Sequence, residues 1–267
     1  MLLAIDVGNT NMVFGLFEGE KLLGSFRLRT APGITSDEIG ILACEYFSRF
    51  SHAPESVDGV IIASVVPQIM YSLTSAIIKY FGCEPLVVDV DVDAGLRYDP
   101  KLLTVREKLG SDRSVTCIAA IEKYGTPLIV IDFGTATTVD AIDSQGLYRG
   151  GTIGAGLRVS MDALIQQTAM LPRVELCMPE RVMAGNTIEQ LQAGVVAGYV
   201  GNIEYLITQI KRELDCGVVR VVATGGLSRL VSENTPLIDI VDSQLTLDGL
   251  RLIYGRNRMP QALVKGE

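Results

Sequence analysis

The sequence predicts an α/β protein built from two copies of one arrangement of strands and helices. Three observations favour this fold class. Each half opens with three apolar, β-branched runs, each continues with alternating helix and strand patterns, and the motif I-D-x-G-x-x stands at the same point of both. The length of 267 residues suits one large or two modest domains, at roughly 100–200 residues per domain.

The composition excludes several classes of protein. With 48% hydrophobic and 20% charged residues, the chain is globular rather than disordered. A formal net charge of −8 repels phosphate backbones and anionic lipid, so neither nucleic acid nor a membrane is an expected partner. The apolar runs are too short for a membrane helix, and residues 1–6 lack a basic signal region. We therefore expect a cytoplasmic protein.

Cysteine and histidine usage argues against disulfides and zinc. The 5 cysteines are an odd number without C-x-x-C spacing. The single histidine, His52, lies in a polar stretch and excludes an H-E-x-x-H site.

The first half is predicted to follow the order βββαβαβ. Its elements are expected at residues 3–7, 12–17, 22–28, 35–50, 57–66, 67–82 and 85–90. Thr35 and Glu38 fit a capping box at the first helix. Pro67 suits the first turn of the second helix, and Gly82 suits its C-cap.

The second half repeats this order after an irregular stretch at 91–110 and a helix at 111–124. Its strands are expected at residues 128–132, 137–142, 147–153, 218–223 and 237–241. Its helices are expected to begin at residue 157, to cover 187–214 and 247–254, and to include a short helix after 223. We predict an N-terminal domain over residues 1–110 and a C-terminal domain over residues 111–267.

The repeated motif points to phosphate binding. In both copies a strand ends in an acid, Asp6 or Asp132, followed by a turn rich in Gly, Asn and Thr. Such turns present backbone N–H groups and small hydroxyls to phosphate oxygens. The acid would need Mg²⁺, a water or a monovalent cation as a bridge. Two facing copies would hold one polyphosphate from both sides; the alternative is two tight hairpins with incidental acids.

Two further segments have both a structural and a functional interpretation. The strand 221–224 runs into Gly225 and Gly226, which would let a ring or ribose lie against the backbone, or simply form a strand-to-helix turn. At Gly110–Arg113, Ser111 fits an N-cap and Asp112 suits the helix dipole. The same acid beside a guanidinium also suits phosphoryl transfer to a hydroxyl. Walker-type and dinucleotide-binding glycine patterns are not found in the chain.

Together these residues resemble the type III pantothenate kinases, members of the acetate kinase, sugar kinase, Hsp70 and actin superfamily. The matching segments, in family order, are 6–11, 110–113, 132–137, 150–153, 171–174, 186–187 and 223–226. Two departures are the residues 101–109 inserted before Gly110, and Ala155 where the family usually has Pro.

The resemblance implies an α/β fold of two duplicated ribonuclease H-like (actin-like ATPase) domains with mixed sheets and ATP in the cleft between them. The implied reaction is ATP-dependent phosphorylation of pantothenate at its primary hydroxyl to 4′-phosphopantothenate, the first step of coenzyme A biosynthesis. The enzyme would be a cytoplasmic homodimer that requires Mg²⁺ or another divalent cation and K⁺ or NH₄⁺.

The resemblance also implies a role for each matching residue. Asp112 is the expected general base, Asp132 the ligand of the monovalent cation, and Asp6 a ligand of Mg²⁺, directly or through water. The ATP-binding residues are expected to be Asp6, Val7, Gly8, Asn9, Thr10, Asn11, Met12, Val13 and Thr135. The pantothenate pocket is expected to contain Tyr98, Gly110, Ser111, Asp112, Arg113 and Thr187.

Two alternative functions use the same fold. One is a kinase acting on another small hydroxy compound. The other is a nucleotide-binding regulator that does not turn over. The presence together of Asp6, Asp112, Arg113 and Asp132 argues against the regulator, because a protein that only binds nucleotide has no use for a base.

Overall fold

The computed structural model describes residues 1–49, 52–88, 95–102 and 109–258, and the chain divides into two compact units. The first unit comprises Met1–Leu96, Glu107–Ala119 and Thr246–Glu267, and the second comprises Arg97–Arg106 and Ala120–Leu245. The boundary between two continuous domains at residue 110 stays a prediction.

The first unit contains a mixed sheet of five strands in the order β3-β2-β1-β4-β5. The strands are β1 (Leu2–Val7), β2 (Asn11–Glu18), β3 (Lys21–Arg29), β4 (Gly59–Ser64) and β5 (Leu86–Val88). The first three are antiparallel neighbours, while β4 is parallel to β1 and to β5. Strand β4 is shorter than predicted, and residues 89–90 of the last predicted strand lie outside the described residues.

The helices of this sheet begin and end where local chemistry predicts. Helix α1 (Ser36–Arg49) follows the capping box, in which the amide of Thr35 donates to the Glu38 carboxylate at 2.8 Å and the amide of Glu38 donates to the Thr35 hydroxyl at 3.2 Å. Helix α2 (Pro67–Phe81) starts at proline and ends at Gly82, whose φ of 69° is left-handed. Both predictions are confirmed.

The core of the first unit forms where these helices cover the sheet. Strands β1 and β4 are apolar at nearly every position because they are buried on both faces, as parallel strands usually are. Leu3, Ile5, Phe14, Ile62 and Leu73 are fully buried in this cluster.

The second unit repeats the topology in a sheet of six strands, ordered β11-β10-β7-β8-β9-β6. The strands are β6 (Arg97–Tyr98), β7 (Leu128–Phe133), β8 (Ala136–Ile142), β9 (Leu147–Ala155), β10 (Arg220–Thr224) and β11 (Ile240–Val241). Apart from β6, this is the order of the first sheet, so the predicted duplication of a mixed βββαβαβ sheet is confirmed. Two strand predictions need correction: β6 lies in a stretch predicted to be irregular, and β11 is shorter than predicted.

The remaining helices follow the predicted pattern. They are α3 (Ser111–Tyr124), α4 (Leu157–Gln166), α5 (Thr187–Gln192), α6 (Gly198–Leu214), α7 (Ser228–Ser232) and α8 (Leu245–Arg258). A π-helical turn at Ala193–Ala197 joins α5 to α6, so the long helical region predicted over 187–214 is confirmed. Within the described ranges, no helix is long and apolar enough to cross a membrane.

Helix α8 packs closely against the start of α3 in the first unit. A Cβ at Gly249 would lie 2.2 Å from the carbonyl oxygen of Val115, so only glycine allows this approach. The hydroxyls of Thr116 and Thr246 are 3.3 Å apart at the same contact. This packing helps to fix the helix that carries Asp112.

We expect Gly249→Ala to lower the free energy of unfolding by about 1–3 kcal/mol, because the added methyl group must push two helix backbones apart. Gly255→Ala is the matched control in the same helix, since a Cβ there meets nothing within 4 Å. That variant should be neutral or more stable by about 0.5–1 kcal/mol through helix propensity. Urea denaturation of both variants measures the difference; equal stabilities would contradict the close packing.

Candidate functional site

The two motif turns have equivalent positions in the two sheets. Asp6 pairs with Val13 across the β1–β2 hairpin, and Asp132 pairs with Thr138 across the β7–β8 hairpin. Each acid is therefore the second-last residue of the first strand. The amide of Gly8 donates to the carbonyl of Asn11 at 3.0 Å, three residues further along the chain. The amide of Gly134 donates to the carbonyl of Ala136 at 3.1 Å, only two residues further, so the second turn is shorter.

The end of the third strand holds each turn in place. Just after β3, the amide of Thr30 donates to the carbonyl of Thr10 at 2.9 Å, and its hydroxyl donates to the carbonyl of Gly8 at 2.7 Å. Just after β9, the amide of Gly156 donates to the carbonyl of Thr135 at 3.0 Å. Residues 9–11 and 134–136 are exposed. Each half thus presents a polar turn that is exposed to solvent and is fixed by hydrogen bonds from the end of the third strand.

The backbone after β10 lies against Asp132. Gly225 has a left-handed φ of 91°, and a Cβ there would lie 2.4 Å from the Asp132 carboxylate and 2.6 Å from the amide nitrogen of Phe133. Both the conformation and the close approach require glycine. The predicted glycine turn and the predicted acid therefore lie together in the second unit.

The start of helix α3 is tied to the strand ends of the first unit. The hydroxyl of Ser111 donates to the carbonyl of Ser64 at 3.2 Å, and the amide of Val65 donates to the carbonyl of Val7 at 3.1 Å. The residues that follow Gly110 are thereby linked through β4 to the end of β1, which carries Asp6. Ser111, which the sequence predicts as the N-cap, is instead the first residue of the helix.

Asp112 has the electrostatic environment of a proton acceptor. Burial raises the pKa of its carboxyl group, while the backbone amide of Arg113, at 2.8 Å, and the charge of Arg113 oppose this effect. A carboxylate that is partly desolvated in this way binds a proton more strongly than one in water. The hydroxyl of Thr116 donates to the Asp112 carbonyl at 2.7 Å and fixes the first turn of the helix.

Tyr199 is a neighbour of the second turn that the sequence did not single out. Its hydroxyl is hydrogen-bonded to Thr137, and its ring centroid lies 6.2 Å from that of Phe133. Burial raises the pKa of Tyr199, the bond with Thr137 lowers it, and the nearby charge of Asp132 raises it. The helical spacing places Tyr199 beside the core positions of α6, but its contact with β8 depends on tertiary structure.

The other predicted residues of the second unit lie on separate elements. Tyr98 is half-buried on β6 beside β9. Thr187 is the exposed first residue of α5, after an N-cap formed by Asn186, whose side chain accepts from the amide of Glu189 at 3.0 Å. A cavity of about 300 Å³ lies elsewhere in this unit, lined in part by Asp143, Arg149 and Cys216, and it contains none of the predicted residues.

The candidate metal ligands are single carboxylates. Among the described residues, no group of three or more His, Cys, Asp or Glu side chains could hold a metal by itself. Asp6 and Asp132 offer the oxygen atoms that Mg²⁺ and K⁺ bind, and the remaining ligands would come from phosphate and water. The donor set therefore suits a cation bound together with a nucleotide.

The family is decided by a match over most of the chain. A family model for type III pantothenate kinase matches residues 2–209, which include every predicted site residue. The chain belongs to the type III pantothenate kinase family. The activity of this family is the phosphorylation of pantothenate with ATP in coenzyme A biosynthesis.

Solved structures show that the fold is shared with distant proteins. A Campylobacter jejuni protein assigned to the Baf family of transcriptional activators is 19% identical, with a TM-score of 0.60 and coverage of 96% of this pantothenate kinase family member and 98% of that chain. The activator of 2-hydroxyisocaproyl-CoA dehydratase from Clostridium difficile, with bound ADPNP, is 13% identical, with a TM-score of 0.51 and coverage of 100% and 98%. Component A of (R)-2-hydroxyglutaryl-CoA dehydratase from Acidaminococcus fermentans is 13% identical, with a TM-score of 0.52 and coverage of 93% and 94%. At these identities the likeness shows the fold alone.

Proposed function

We propose that Asp112 is the general base that takes the proton from the primary hydroxyl of pantothenate. The observation that carries this proposal is a partly desolvated carboxylate, with its pKa raised by burial, at the start of a helix and beside a guanidinium. A carboxylate whose pKa is raised by burial gains proton affinity from its surroundings. Arg113 binds the carboxylate of the acceptor, which places the hydroxyl next to the base.

The ATP phosphates are bound by the anchored turns. Residues 6–13 and Thr135 supply backbone N–H groups and small hydroxyls to the phosphate oxygens, as the exposed turns allow. A divalent cation would be held by Asp6 and a monovalent cation by Asp132. These cations would neutralise charge on the phosphates during transfer.

The acceptor pocket is completed by residues from several elements. Gly110 and Ser111 contribute backbone at the start of α3, and Tyr98 and Thr187 contribute side chains from β6 and α5. Cytoplasmic location and the specific cations are further parts of this proposal, and they follow from the family resemblance.

We also propose a homodimer with twofold symmetry. The chain between α4 and α5 exposes large apolar side chains, with Met170 at 91%, Val182 at 74% and Met183 at 82% exposure. A partner that covers this segment would remove these side chains from water. Their proximity in sequence to Thr187 is consistent with an acceptor pocket beside the interface.

Asp112→Asn should lower kcat by at least about two orders of magnitude, since a positioned base typically contributes 10²- to 10⁴-fold. ATP affinity should stay near wild type. Asp37→Asn is the matched control, because Asp37 is likewise the second residue of its helix and follows a serine, but is exposed. A fall in turnover of less than tenfold for Asp112→Asn would reject the base assignment.

The thermal stability of Asp112→Asn separates catalysis from folding. Because burial raises the pKa of Asp112, the folded state binds its proton more tightly than the unfolded state does. The stability that this group contributes is therefore present in acid and is lost as the pH rises through the raised pKa. Relative to wild type, the variant should be at least as stable at neutral pH and should lose this advantage in acid, as measured by Tm across pH.

Turnover should require K⁺ or NH₄⁺, because Asp132 needs a cation between its carboxylate and the phosphates. The measurement compares rates at constant ionic strength with K⁺, NH₄⁺ or tetramethylammonium as the only monovalent cation. Equal rates in all three buffers would contradict the proposed role of Asp132.

Sedimentation at micromolar concentration should give the mass of a dimer. Met183→Glu places a charge on the exposed apolar segment and should shift the mass towards the monomer, because an unpaired charge in an interface is costly. A wild-type monomer with full activity would contradict the dimer proposal.

A further inference from the structure

Tyr98 lies on a two-residue strand, whose backbone pairing alone gives little stability. Strand β6 has two residues, Arg97 and Tyr98, paired with Leu147 and Tyr148 of β9. Beyond it, the amide of Asp99 donates to the carbonyl of Tyr148 at 3.1 Å. Strands in proteins usually have 3–10 residues, so side-chain contacts must contribute to fixing this one.

Asp99, the residue after Tyr98, forms an ion pair with Arg149. Asp99 is 8% exposed, and its Oδ2 lies 3.3 Å from Nε of Arg149. Nη1 of Arg149 is also 3.4 Å from Oδ2 of Asp143. The other oxygen of Asp143 accepts from the amides of Gln145 and Leu147, each at 2.9 Å. Arg149 therefore joins Asp99, and with it the end of β6, to the β8–β9 hairpin.

The ring of Tyr98 rests on a fixed neighbour. Its centroid is 5.7 Å from that of Tyr148, with an interplanar angle of 63°. Tyr148 is 1% exposed, and its hydroxyl donates to Oδ1 of Asp140, which is 2% exposed, at 2.9 Å. Tyr148 is thus a rigid surface in the core, and edge-to-face packing on it orients the Tyr98 ring.

Within the second unit, the contacts of Tyr98 and Asp99 with β9 contribute to where Tyr98 lies. The side chain of Arg97 also donates to the carbonyl of Gln145.

We propose that Arg149 is a positioning residue for the acceptor site, acting on Tyr98 through Asp99; this inference rests on the proposed role of Tyr98 in the pantothenate pocket. Without the guanidinium, Asp99 would be a poorly solvated carboxylate without its cation. The carboxylate would move towards water, and the backbone of Tyr98 would move with it. The turns proposed to bind ATP do not depend on this ion pair.

The test compares Arg149→Gln with Arg149→Lys, Asp99→Asn and the double variant Arg149→Gln/Asp99→Asn. Arg149→Gln should raise the KM for pantothenate about tenfold, since small displacements of a positioning group are costly. The KM for ATP should stay within about twofold. Arg149→Lys should recover part of the loss, and the double variant should be no worse than the worse single variant. Arg49→Gln, which breaks an exposed pair with Glu45, is the control and should change neither KM.

Hydrogen exchange of wild type and Arg149→Gln supplies a readout independent of activity. Faster exchange of the amides of residues 97–99, 101 and 102 in the variant is expected, and unchanged exchange would overturn the proposal whatever the substrate. If exchange rises but Tyr98→Ala leaves the KM for pantothenate unchanged, the proposed role of Tyr98 is wrong and the inference falls with it. A wild-type enzyme that does not phosphorylate pantothenate would instead reject the proposed function. Equal rises in the KM for ATP and for pantothenate would also overturn the inference, because they indicate general loosening.

Discussion

Parallel pairing of β1 with β4 and of β7 with β10 is the constraint on which both halves depend. Parallel strands cannot be joined by a tight turn, so each pair needs a long crossover connection. Their carboxyl ends meet at one edge of each sheet, and the polar residues follow at that edge. Asp6 lies opposite Ala63, and Asp132 lies opposite Thr224. The apolar strands therefore determine where the acids lie.

The duplicated halves have diverged at these strand ends. In the second unit, Gly225 brings the backbone after β10 against the carboxylate of Asp132. In the first unit, the corresponding strand end at Ser64 receives the hydroxyl of Ser111 from α3. One copy thus has features suited to a cation and a nucleotide, and the other holds the helix that carries the proposed base. This difference accounts for the distinct roles that we assign to Asp132 and Asp112.

Much of the fold could be predicted because local signals agree with tertiary structure. The capping box at Thr35 and the proline and glycine that bound α2 each determine a helix end by short-range chemistry. The repeated acid motif indicated two equivalent turns, and the register confirms them. Strand β6 could not be predicted, because two residues carry no periodicity and the strand exists only through pairing with β9. The contacts of Tyr199 and Arg149 could not be predicted either, since they join residues that are distant in the chain.

The burial of Asp112 also could not be predicted from the sequence. A serine followed by an acid at a helix start occurs in both α1 and α3, yet Asp37 is exposed and paired with Lys79, whereas Asp112 is partly desolvated. The pKa of Asp37 is lowered by hydrogen bonds from Lys79 and then Tyr80, and the pKa of Asp112 is raised by burial. The same local motif thus serves as a helix start in one place and as a proposed base in the other.

Phosphoryl transfer to pantothenate is the central claim, and it is tested most directly by ADP formation with ATP, Mg²⁺ and K⁺, with and without pantothenate. The account predicts that ADP forms only when pantothenate is present. It also predicts one phosphate on the primary hydroxyl of pantothenate for each ADP, as measured by ³¹P NMR of the product. ADP formation at the same rate without pantothenate, or phosphate released to water instead, would contradict it.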